Sequence, residues 1–188
     1  MILAKRLAGM LTIRGSAVLA LLCLVVSQAN TIAADKANEP AAPQQALERF
    51  VGEWETNATI RRAGPPPREI VTHGKATCRR TLGGEWFEFR TQTIPAGESD
   101  LQVMTYDAAA GVYRQWVFSS DGYRHEATGQ WNDATSTLRW SGRSGDNTFV
   151  IDDQWATPDR LEWTLRRKNA QGDIVQTIAG IVTRAEEQ

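Results

Sequence analysis

From Gly52 to Arg184 the chain holds no run that reads as a helix. It holds short stretches of alternating character, parted by turn residues about every ten positions. The stretch Gly52–Arg62 is the clearest: Trp54, Thr56, Ala58 and Ile60 fall on one face, and Glu53, Glu55, Asn57, Thr59 and Arg61 on the other. Side chains of a strand alternate between faces, so this pattern is a strand with one face inside. Gly64-Pro65-Pro66-Pro67 then ends it, because proline cannot donate to a ladder. Further runs are predicted at 69–82, 85–93, 101–106, 112–119, 123–130, 137–143, 147–155, 160–168 and 174–184. Gly83-Gly84 suits a hairpin turn. Ten consecutive strands joined by short turns make an antiparallel meander, and closure into a barrel hides its edges. The predicted fold is therefore all-β, a single up-and-down antiparallel barrel of about ten strands. The interior of such a barrel holds side chains or one small ligand.

The first 34 residues differ in kind. Lys5, Arg6 and Arg14 are followed by the apolar run Ala17–Val26 and then by small residues ending at Ala33-Ala34. This is the order of a secretory signal peptide, and the apolar run is too short to span a bilayer. The expectation is an exported chain, periplasmic or extracellular and not membrane-spanning once residues 1–34 are removed. Cys23 would leave with that segment, so Cys78 would have no intrachain partner. Residues 35–45 read as a flexible linker, 46–185 as the barrel domain and 186–188 as a tail. Lys and Arg number 21 against 22 Asp and Glu, which argues against a nucleic-acid partner.

Gln44–Val51 has Leu47, Phe50 and Val51 on one helical face, so a short helical turn precedes the first strand. With Gly52 and Trp54 it forms Leu47-x-x-Phe50-x-Gly52-x-Trp54, which resembles the opening of the calycins, the lipocalin and fatty-acid-binding superfamily. Leu82-Gly83-Gly84-x-Trp86, Tyr106-Asp107 and Tyr113-x-x-Trp116 resemble one branch of it, a family of exported bacterial lipocalin-like proteins of unknown function. The likeness spans about residues 46–184. It implies a barrel with an internal cavity and no particular reaction. It also implies that an arginine of the last strand, here Arg184, packs over Trp54. The nitrobindins, a related branch, hold haem through a histidine late in the barrel. This chain has only His73 and His125, which argues against haem.

Seven tryptophans are the main compositional signal. They serve a barrel core, an aromatic-lined pocket, or both. Tyr123 and His125 share parity in one strand and form the best polar pair for the lumen. Trp86 and Trp116 complete the set of lumen candidates for ligand binding. Parity alone does not choose between Trp86, Glu88 and Arg90 or Phe87 and Phe89 as the inward set, and the face of Trp116 is equally open. Gly52, Trp54 and Arg184 are the structural signature.

Other chemistry lacks support. His73 and Cys78 are an odd number of residues apart on one strand and so face opposite ways, and no other His/Cys cluster offers a metal site. Gly142-Arg143-Ser144-Gly145-Asp146 falls short of a nucleophile elbow. Glu85 and Glu88, and Asp152 and Asp153, would stand on opposite faces and read as solvated charges. The doublets Arg61-Arg62, Arg79-Arg80 and Arg166-Arg167 likewise split across the sheet and build no basic groove. No catalytic set, metal or cofactor is expected. The expected partner is a small hydrophobic or amphipathic molecule. A filled barrel acting as an envelope interaction module is the alternative, with a barrel isomerase or cyclase behind it.

Overall fold

The computed structural model of the protein describes residues 42–94 and 97–186. The expected signal segment 1–34, most of the expected linker and residues 187–188 lie outside the described residues. One short helix, α1 (Ala42–Glu48), precedes ten strands: β1 (Gly52–Arg62), β2 (Arg68–Thr81), β3 (Trp86–Ile94), β4 (Ser99–Asp107), β5 (Val112–Ser119), β6 (Arg124–Asn132), β7 (Thr137–Ser144), β8 (Asn147–Thr157), β9 (Arg160–Lys168) and β10 (Ile174–Arg184). Each strand pairs antiparallel with its neighbours in sequence, and β1 pairs with β10, so the barrel is closed.

The barrel has two unlike ends. The hairpins β2–β3, β4–β5, β6–β7 and β8–β9 stand at one end, together with α1. The other hairpins stand at the opposite end. Helix α1 starts inside the stretch expected to be linker. Pro43 sits at its second position, where a missing N–H costs nothing. Tyr113 Oη donates to Pro43 O at 2.7 Å, and Gln44 Nε2 donates to Glu85 Oε2 at 2.7 Å. The helix ends earlier than expected, at Glu48, and turn hydrogen bonds from Phe50 and Val51 back to Leu47 and Glu48 carry the chain into β1. Leu47 and Phe50 are thereby driven into the barrel end, where Phe50 meets Trp155 edge to face at 5.2 Å.

Above this plug lies the packed half of the interior. Trp54, Phe87, Met104, Leu138 and Trp140 are each 1% exposed or less. Three interior glycines make room for large rings on the adjacent strand: Gly129 beside Trp140, Gly142 beside Phe149 and Gly180 beside Trp163. A Cβ at these glycines would stand 2.6, 2.5 and 2.2 Å from the respective ring. In the β2–β3 turn, Leu82, Gly83 and Gly84 have φ of 48°, 77° and 92°, a left-handed path that glycine follows without strain.

The outer face of β1 carries exposed Glu53, Glu55, Asn57 and Arg61, where a transmembrane barrel presents an apolar band. Among the described residues no helix is long and apolar enough to cross a membrane.

Candidate functional site

The register decides which residues reach the lumen. Trp54 pairs with Ala76, Cys78 with Phe89, Phe89 with Gln102, Gln102 with Val117, and Val117 with His125. All of these point inward. Trp86 and Trp116 have the opposite parity and lie on the outer wall, where their rings stand 5.8 Å apart. Their expected lumen position is therefore corrected. The reason is that Phe87 and Phe89, both buried, take the inward positions of β3, and Gln115 and Val117 those of β5. Tyr123 and His125 do line the lumen.

At the plugged end the signature residues meet. The Arg184 guanidinium carbon lies 4.2 Å from the Trp54 ring centre. Arg184 Nη1 donates to Val51 O at 3.0 Å, and Nε donates to Asp159 Oδ1 at 2.7 Å. Trp54 Nε1 donates to Phe50 O at 2.7 Å. This set closes the seam where β1 joins β10 and leaves no room there for a ligand.

The other half of the barrel is hollow. A cavity of about 580 Å³ runs from Phe50 and Phe89 up to the exposed residues Arg62, Ala63 and Asp121 at the open end. Its size falls in the range of small-molecule sites, roughly 300–1,000 Å³. The deeper wall is mainly apolar: Ile151, Leu161, Trp163, Leu165, Ile178 and Val182. Polar groups gather above it. Arg167 Nη2 donates to Tyr123 Oη at 2.6 Å, and the guanidinium carbon sits 4.8 Å from the same ring's centre. His125 is held edge-on to Phe149, 4.5 Å between ring centres, and stands 5.4 Å from Tyr123. Burial, with help from the Arg167 charge, pushes the His125 pKa down to about 4, so the imidazole is neutral at pH 7. Both His125 nitrogens and Arg167 Nε are buried without a hydrogen-bond partner. Gln115 Nε2 donates to Gln102 Oε1 at 2.9 Å, and Gln115 Oε1 is buried and unpartnered. Buried polar atoms usually have partners, so this concentration around one cavity is informative.

Asp153 is the unusual acid. It lines the cavity, is 8% exposed, and accepts from Trp140 Nε1 at 2.8 Å. Burial raises its pKa to about 7; the Trp140 hydrogen bond works against that rise and the neighbouring Asp152 charge adds to it.

Neither Arg167 nor Asp153 is among the residues expected in the site: Asp152-Asp153 reads as solvated charge, and Arg166-Arg167 as a doublet that builds no basic groove. The splitting of each pair across the sheet was correct, and it carries a corollary. In a closed barrel one member of every such doublet faces the lumen. Parity with Leu161, Trp163 and Leu165 assigns Arg167 inward, and parity with Phe149 and Ile151 does the same for Asp153. His73 lies outside, against Asn57, and Cys78 inside. Among the described residues no three His, Cys, Asp or Glu side chains gather as metal ligands.

Solved structures share this fold. Rv2717c from M. tuberculosis superposes with a TM-score of 0.61 at 14% identity, over 79% of this chain and 100% of that one. The S-type phycobiliprotein lyase CPES from Guillardia theta gives 0.54 at 14% identity, over 79% and 95%. At these identities the likeness is one of fold. No curated protein matches the chain in sequence. A family model matches residues 39–180, which span α1 and nearly all of the barrel, and the chain belongs to that family, described as protein of unknown function (DUF1579).

Proposed function

We propose that this protein is a binding barrel that takes up one small amphipathic molecule through its open end. We further propose that it does so outside the cytoplasm, in the periplasm or extracellular space to which residues 1–34 direct it. The cavity carries the reading: a space of about 580 Å³ with a mainly apolar floor, in which Asp153 is set, and further polar groups nearer the mouth. Such a space accepts an apolar body first and leaves a polar end among hydrogen-bonding groups. It speaks against the filled barrel, whose interior would be occupied by side chains.

Native mass spectrometry of protein purified gently from its own cells tests this. The expected result is a discrete mass excess that disappears on denaturation. A clean unliganded mass, unchanged after exposure to a lipid and metabolite extract, overturns it.

Asp153 favours a second reading. A carboxyl that titrates near neutrality at a cavity wall suits proton transfer, as in an isomerase or cyclase. The released molecule, incubated with fresh protein, would then convert to a product of the same mass.

A further inference from the structure

We propose that the cavity selects molecules with one carboxylate head group, held by Arg167, Tyr123 and His125. The inference rests on the binding reading above and names the class of ligand. Three observations carry it. First, Arg167 brings a fixed positive charge into the lumen, and it forms no ion pair among the described residues. Its one hydrogen bond goes to a neutral phenol, and its Nε–H is buried and unpartnered. Second, the groups around it can donate: the Tyr123 hydroxyl, which accepts from Arg167 and keeps its own proton to give, and the neutral His125 ring, which has one N–H to give and both nitrogens buried and unpartnered. Third, the polar cluster sits above a mainly apolar floor that also carries Asp153, so a bound molecule would place its head here and its body below.

A planar guanidinium matches a carboxylate edge, and charge-assisted hydrogen bonds of this kind are the strong ones. Arg167, with no ion-pair partner among the described residues, offers one guanidinium edge to one carboxylate. Arg62 stands at the mouth, and Asp100, Asp121 and Asp153 also line the cavity, none of them paired with Arg167, so the lining as a whole holds no excess of positive charge. The three acids work against di- and trianions.

The test measures competition. The neutral dye N-phenyl-1-naphthylamine reports entry into the cavity by its fluorescence. Dodecanoate and 1-dodecanol then compete for the same space with matched chains and different heads. In the wild-type protein dodecanoate is expected to bind about tenfold more tightly than the alcohol, or better. In Arg167→Gln the ratio should fall to within about twofold, and Arg167→Lys should restore part of it. The ratio is taken within each protein, so a general weakening of the cavity cancels. A wild-type protein that binds the dye and both chains without a head-group preference overturns this inference and leaves the binding reading standing. A wild-type protein that binds neither dye nor chains overturns both. The wild-type ratio decides even where a variant fails to fold.

Discussion

Gly52 leaves the space that Arg184 fills. A Cβ at Gly52 would stand 2.2 Å from Arg184 Nη1, and the Gly52 φ of +134° is one that other residues rarely adopt. The small residue, the ring two positions on and the arginine at the end of β10 thus form one closure. Gly52→Ala should lose about 2–3 kcal/mol of stability, part from the backbone and part from displacing the guanidinium. Arg184→Ala in the same chain should recover only the second part, so the two substitutions should be non-additive. Trp54→Ala, which empties the centre of the closure, should cost about 3–5 kcal/mol. Urea denaturation of the wild type, Gly52→Ala, Arg184→Ala, the double variant and Trp54→Ala checks all of this. A loss below about 1 kcal/mol for Trp54→Ala would contradict the closure.

Alanine at two interior glycines should separate packing from binding. Gly129 faces Trp140, which is fully buried and hydrogen-bonded to Asp153, so that ring has nowhere to go. Gly129→Ala should destabilise by about 1–3 kcal/mol. Gly180 faces Trp163, which lines the cavity and can swing into it. Gly180→Ala should cost less stability and shrink the cavity, seen as weaker binding of N-phenyl-1-naphthylamine. Equal stability losses with unchanged dye binding would refute the distinction.

Two buried groups oppose each other in acid. Asp153 keeps its proton to about pH 7 in the barrel and to about 4 in an unfolded chain. Between those values the folded state holds the extra proton, so stability falls as pH rises toward 7. His125 titrates near 4 in the barrel against an ordinary 6.5. There the unfolded state holds the extra proton, so stability falls as pH drops toward 4. From about pH 4 to 6.5 the two slopes largely cancel. Asp153→Asn should expose the histidine slope, with stability rising over that window, and His125→Gln the aspartate slope, falling up to pH 7. Each slope is at most about 1.4 kcal/mol per pH unit. Denaturation midpoints at half-unit intervals would show two flat variants if the assignments were wrong.

Cys78 should behave as an inert core residue. It is 1% exposed, and burial, with the charges of Glu48 and Glu88, pushes its thiol up to about 12. Iodoacetamide at pH 8 should label it about a hundredfold more slowly than in denaturant, because the thiolate is the reactive form. Peptide mapping at Cys78 measures the rate, and fast labelling of folded protein would refute the burial.

The barrel itself was legible because closure requires what the sequence repeats: alternation and a turn every ten residues or so; the Gly-x-Trp start and the arginine at the far end came from the resemblance to the calycins. The face of β3 was not, since Trp86 and Phe87 both suit a core. The neighbouring strand held the answer. Lys75, Thr77 and Arg79 alternate with Ala76 and Cys78, so Ala76 and Cys78 point inward. Thr81 pairs with Trp86 across the Gly83-Gly84 turn, and Trp86 inherits the outward face of Thr81. The site was harder still. Arg167 and Asp153 are charged, and charge predicts exposure on average; only the closed topology forces them inside.

Helix α1, the start of β1 and the end of β10 all stand at the plugged end, opposite the mouth. The barrel is thus a cup whose base gathers both ends of the described chain. A fusion partner, an affinity tag or an immobilising surface joined at the C-terminal side of β10 would hold it from beneath and leave the rim unobstructed. The rim hairpins are in turn free to differ in length and composition while the seal at the base stays as it is.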